Sequence, residues 1–134
     1  MDRDLYHNIK TSVALDEQAI AADGTVVGNI IDTKDFASLV FAGLSGVVTD
    51  GVHTILIEYS DDSGMAGAVT AVADDLHGDL WAFEAADDNV SKRVGYNGPG
   101  RYVRASIVTT AATLGILSLS VTALQSHPRH APVA

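Results

Sequence analysis

Between Val94 and Thr110 the chain reads VGYNGPGRYVRASIVTT, and this stretch restricts the choice of fold more than any other. Two β-rich runs flank Asn97-Gly98-Pro99-Gly100. Asn-Gly supplies positive backbone angles at low cost and Pro-Gly pre-sets a tight reversal, so either pair predicts an antiparallel hairpin with an exposed turn. Beyond the turn the residues alternate. Val103, Ala105 and Ile107 share one face of a strand, and Tyr102, Arg104 and Ser106 share the other. Lys92, Arg93, Arg101 and Arg104, half of the eight Lys and Arg residues, lie in or beside the predicted hairpin. They form a local basic cluster in a chain of net charge −9.

The same period of two recurs upstream. Thr25–Ile31 is rich in β-branched residues and follows an Asp23-Gly24 turn signal. Phe36–Leu44, with Leu39 and Phe41 on its inner face, and Val52–Ser60, with Ile55, Ile57 and Tyr59 alternating with Thr54, Leu56 and Glu58, both read as strands. Thr49-Asp50-Gly51 separates them. Thr11–Ala22 reads as one or two short strands, or a short helix over Leu15–Ala22. Residues 65–88, rich in Ala and Asp, are the least legible, with Leu76, Leu80, Trp81 and Phe83 as anchors and a short strand near Leu80–Glu84. Strands at Val90–Tyr96, Arg101–Thr109 and Ile116–Ala123 complete the count. The expected domain organisation is an exposed arm over residues 1–9, a β-domain over 10–126 and an extended tail over 127–134.

Seven to nine short strands with turn signals between them predict an all-β, antiparallel β-sandwich with a jelly-roll-like topology. An immunoglobulin-like Greek key shares this pattern, although its Cys–Trp–Cys hallmark is missing. The expected core is Leu39, Phe41, Ile55, Ile57, Val103, Ile107, Leu117, Leu119 and Val121. Ala105–Ser126 carries no charge over a length that could span a bilayer. Its second half nevertheless alternates Leu117, Leu119 and Val121 with Ser118, Ser120 and Thr122, the signature of a half-buried strand. A membrane role is therefore not expected. Nor is direct contact with nucleic acid, because phosphate-binding surfaces need clustered cations beyond the four found here.

Catalytic signatures are missing: no nucleophile elbow, zinc-protease helix, P-loop or dinucleotide fingerprint occurs. No enzyme activity, cofactor or metal is expected. His127 and His130 have the i, i+3 spacing of helical metal ligands, but Pro128 disfavours a helix there. The pairs Asp61-Asp62, Asp74-Asp75 and Asp87-Asp88 read as turn residues. Trp81, with Tyr59, Tyr96 and Tyr102, could instead build a sugar-stacking platform. Core packing suits Tyr59 and Tyr96 better, while Trp81 fits either role.

Four stretches together resemble a family of small proteins of tailed bacteriophages. They are IDTKDFASLVF (Ile31–Phe41), IEYSDDSG (Ile57–Gly64), VGYNGPGRYVR (Val94–Arg104) and HPRHAPV (His127–Val133). The first departs from the family pattern at Asp35, where glycine is common. The family is that of head decoration, or cement, proteins encoded near the major capsid protein. The resemblance implies a virion structural protein on the outer surface of the capsid, made in the host cytoplasm, with the major capsid protein as partner. It implies no catalytic residues. Repeated capsid subunits around rotation axes make a dimer or trimer the expected oligomer. The expected partner-binding residues are Lys92, Arg93, Arg101 and Arg104 of the cluster and His127, Arg129 and His130 of the tail. The tail's two prolines favour an extended, partner-ordered segment. The alternative is a carbohydrate-binding jelly-roll module displayed on the phage head, with Trp81 and Tyr102 as its ready aromatics.

Overall fold

The alternating runs form strands that pair in nested order, first with last. A computed structural model describes residues 4–20, 23–110 and 117–128. Its strands are β1 (Ile9–Ile20), β2 (Gly24–Asp32), β3 (Phe36–Val48), β4 (Val52–Ser60), β5 (Val69–Thr70), β6 (Leu76–His77), β7 (Ala82–Phe83), β8 (Ser91–Tyr96), β9 (Tyr102–Thr110) and β10 (Leu117–Pro128). All their pairings are antiparallel. β1 pairs with β10, β2 with β9, β3 with β8 and β4 with β7. The chain is thus one long two-stranded ribbon. Rolling the ribbon up sets β10 beside β3 and β9 beside β4, which gives sheets ordered β1-β10-β3-β8-β6 and β2-β9-β4-β5, with β7 also on β4. This is the jelly-roll sandwich.

The core lies between the two sheets. Leu39 and Phe41 of β3, Val94 and Tyr96 of β8, and Leu119, Val121 and Ala123 of β10 meet Ile55 and Ile57 of β4 and Val103, Ala105 and Ile107 of β9. Every predicted core residue whose side chain is described is buried; the Leu117 side chain lies outside the described residues. Trp81 and Phe83 also belong to this core, with ring centroids 5.0 Å apart. Gly43 lets the indole reach β3, because a Cβ there would sit 2.6 Å from its edge. With Trp81 only 6% exposed, no aromatic platform forms around it. Core packing is its role.

One side of the sandwich is closed by paired irregularities. β2 breaks register between Val27 and Ile30, and β1 breaks register between Val13 and Leu15. Such bulges bend and blunt edge strands. Asn29, in the β2 bulge, donates from Nδ2 to the Val13 carbonyl at 3.0 Å and ties the two sheets together. Beside it, a Cβ on Gly28 would run into the carbonyls of both Ala105 and Ala14.

Several expectations need correction. Asn97–Gly100 does not close a hairpin: β8 belongs to one sheet and β9 to the other, so the link crosses the sandwich. Asn-Gly and Pro-Gly bend the chain, but Tyr96 and Tyr102 find their ladder partners elsewhere, opposite Leu39 and Ser60. Thr11–Ile20 lies in a single strand, with no helix. In the expected arm, Tyr6–Asn8 is one 3₁₀ turn and Ile9 already pairs with Ser126, while Tyr6 itself is 81% exposed. The tail starts later than expected, because His127 and Pro128 belong to β10 and Pro128 lies opposite Phe36. Proline is tolerated there because β1 begins at Ile9, opposite Ser126, leaving Pro128 no β1 partner whose ladder its missing N–H could break. Residues 129–134, with Arg129 and His130, lie outside the described residues.

Candidate functional site

The four stretches singled out in the sequence are spread over a hundred residues, yet their described parts, His127 and Pro128 in the case of the last, adjoin at one end of the sandwich. There the β2–β3 turn, the end of β4, the β8–β9 crossing and the end of β10 adjoin. Arg101 is the hub. Its guanidinium forms two parallel bonds to Asp32, Nε to Oδ1 and Nη2 to Oδ2, both 2.9 Å. It also lies 4.9 Å from the centre of the Tyr102 ring. The Arg101 carbonyl accepts from Thr33 N at 2.9 Å and Thr33 Oγ1 at 2.7 Å. Its own N–H donates to Asp61 at 3.4 Å. The side-chain bonds from Arg101 hold the Asp32 carboxyl below its ordinary range, helped by the Lys34 N–H. Buried Gln125 of β10 donates to the Asp32 carbonyl at 3.0 Å. His127 Nδ1 and Ser38 Oγ are hydrogen-bonded at 2.6 Å.

Two tyrosines shape the crossing. The Tyr96 hydroxyl accepts from Gly100 N at 3.0 Å and donates to Gly100 O at 3.3 Å, closing the link with a side chain in place of a backbone ladder. Burial pushes this hydroxyl up to about 12. Gly100 has no room for a side chain, since a Cβ would sit 2.5 Å from Tyr59 Cδ2. Asp35 turns the chain from β2 into β3 with φ at 73°. That left-handed backbone is easiest for glycine and tolerable for Asp.

The basic cluster does not survive as one surface. Arg101 and Arg104 stand on the β9 side, with Arg104 bonded at 3.2 Å to Glu58, its cross-strand neighbour. Lys92 is on the opposite sheet, where its ammonium donates to Ala82 O at 2.7 Å and Asp87 Oδ2 at 3.2 Å and lies 5.4 Å from the Phe83 ring centre. The Arg93 side chain, next to it, points outward and makes no hydrogen bond or ion pair with the described residues. Of the four cations, three are consumed within the fold.

Arg93 lines a groove of about 600 Å³ on the outer face of the β1-β10-β3-β8-β6 sheet. Its floor includes Val40 and Gly95, and its rim carries Ser38, His77, Asn97 and His127. Asn97 and His77 are hydrogen-bonded across 2.9 Å. Sequence reading placed Arg93 and His127 as partner-binding residues but missed Ser38, His77 and Asn97. The only available signal was the run of small outward residues, Ser38, Ala42 and Gly95, in the middle of the sheet.

The paired carboxylates are built into turns. Asp62 Oδ2 accepts from the backbone of Gly64 and Ala66, Asp75 from Val72 N, Asp87 from Glu84 N and Asp88 from Val48 N. Buried His53 is likewise held by Thr109 Oγ1 at 2.8 Å and the Asp50 carbonyl at 2.9 Å. Among the described residues no group of three or more His, Asp or Glu is placed to hold a metal ion, and no helix is long and apolar enough to cross a membrane. No family model, no curated protein and no solved structure matches the chain.

Proposed function

We propose that this chain is a capsid decoration protein, a structural component that binds the outside of a phage head and reinforces contacts between major capsid protein subunits, as a dimer or trimer. The observation that carries the reading is that the described residues of the four family-like stretches, His127 and Pro128 for the last, adjoin at one end of the sandwich. Asp32, Arg101 and Thr33, Tyr59 and Gly100, and Ser38 and His127 each join two of those stretches directly. A resemblance scattered over unrelated surfaces would give weaker support. A jelly-roll sandwich also suits the role, since its two sheets present broad faces to neighbours while the core stays sealed. The alternative of a sugar-binding module loses its main aromatic, because Trp81 is buried. Mass spectrometry of gradient-purified virions of the phage or prophage encoding the chain tests the proposal. The expected result is a fixed copy ratio to the major capsid protein, retained through the gradient. Absence from such virions refutes it.

A further inference from the structure

We infer that the groove beside Arg93 is a recognition site for an extended segment of a partner protein carrying a carboxylate side chain between small apolar residues. The first ground is charge. The chain has 17 acidic residues, yet among the described residues none lines this groove, and β3, β8 and β10, which build its floor, contain none. Arg93 is the cation of the cluster whose side chain the described residues leave unengaged. A guanidinium offers a planar fork matched to a carboxylate, so the groove is complementary to an anion on a molecule whose other surfaces repel one.

The second ground is preorganisation. The His127–Ser38 and Asn97–His77 hydrogen bonds fix four polar side chains around the groove before any ligand arrives. Those bonds use His127 Nδ1 and His77 Nε2, so each ring keeps its other nitrogen to meet a ligand's backbone. Fixed side chains lower the ordering cost of binding. The third ground is shape. Val40 and Gly95 are cross-strand neighbours in the floor, and His77 packs over Gly95, where a Cβ would lie 3.0 Å from the histidine Cβ. An apolar floor with polar groups at its rim, at about 600 Å³, is the build of a site that takes a short peptide rather than a single ion. The inference does not depend on the partner being a capsid subunit.

The test uses the full chain, ¹⁵N-labelled, titrated with the peptide acetyl-Ala-Val-Glu-Val-Ala-amide and with its counterpart bearing Gln in place of Glu. The Glu peptide is expected to shift the amides of Ser38, Val40, Arg93 and Gly95 and to bind about fivefold more tightly than the Gln peptide, the scale of one exposed charge pair. Arg93→Ala is expected to erase that preference. Lys10→Ala, which removes a cation elsewhere, is expected to keep it. Equal affinity for the two peptides, shifts confined to other surfaces, or no saturable shift up to about 10 mM peptide overturns the inference. Shifts at the groove on concentrating the peptide-free protein would assign it to a second copy of the chain and would also overturn it.

Discussion

Replacing Tyr96 by phenylalanine keeps the ring that packs in the core and deletes only the hydroxyl that holds the crossing between the sheets. In the native fold that hydroxyl serves both backbone groups of buried Gly100, accepting at 3.0 Å and donating at 3.3 Å. The substitution leaves a buried N–H and a buried C=O without their partner. An orphaned buried group costs about 1–3 kcal/mol, and the longer of the two bonds belongs at the low end of that range. No cavity term is added, because the ring remains. The expected loss is about 2–3 kcal/mol, a large share of the stability of a domain of this size. With a urea dependence of about 1–3 kcal/mol per molar, the unfolding midpoint falls by roughly 0.7–3 M at unchanged slope. The alkaline limb gives a second reading. Burial raises the Tyr96 hydroxyl to about 12 in the fold, while an unfolded tyrosine ionises near pH 10. The folded state therefore holds the proton more tightly, and its contribution is complete below pH 10 and lost as the pH rises towards 12. The gap between wild type and Tyr96→Phe should narrow over that interval. A neutral-pH difference below about 0.5 kcal/mol, or a gap unchanged through the alkaline limb, refutes the role given to this hydroxyl.

Two further predictions concern other parts of the frame. Asp32→Asn removes a carboxylate whose ionisation is favoured in the fold by the Arg101 side chain, so the stability it contributes is present above about pH 4 and lost as the pH falls through the lowered native value. Urea midpoints should therefore differ at pH 7 and converge near about pH 2, with the difference smaller at high salt because both partners are partly exposed. Gly28→Ala places a methyl group against the Ala105 and Ala14 carbonyls, where no side-chain rotation relieves it, and should cost at least about 3 kcal/mol or prevent folding. A circular-dichroism melting midpoint close to wild type would show that the two edges have room to part.

The strands were legible because burial on one face enforces a period of two, which is why Leu39, Phe41, Ile55, Ile57, Val103 and Ile107 could be placed in the core from their spacing. Topology was legible only as a class. A turn signature such as Asn97-Gly98-Pro99-Gly100 says that the chain bends; which ladder each strand joins is decided by contacts distant in sequence, and here Tyr96 pairs with Leu39 while Tyr102 pairs with Ser60. The same limit applies to charge. Clustering in sequence predicted one basic surface, but residues on two sheets cannot share a face, and the partners that neutralise Arg101 and Arg104, Asp32 and Glu58, lie 69 and 46 positions away. Residues 65–88 were illegible for a different reason. They contribute only two-residue strands, and Trp81 and Phe83 are held by the space that Gly43 leaves. No periodicity encodes that space.

Nested pairing also sets an order of events. β10 lies between β1 and β3, so an interior place in that sheet is filled by the last of the ten described strands to leave the ribosome. Until then β1 and β3 present open edges to each other and to every other nascent chain, and Ile9 waits for Ser126. Loop closure over so long a separation is entropically costly and places folding among the slow, millisecond-to-second β-topologies. Lys10 on β1 and the bulges of β1 and β2 act in this interval as much as in the finished protein. They keep exposed edges soluble while the sheet still lacks β10.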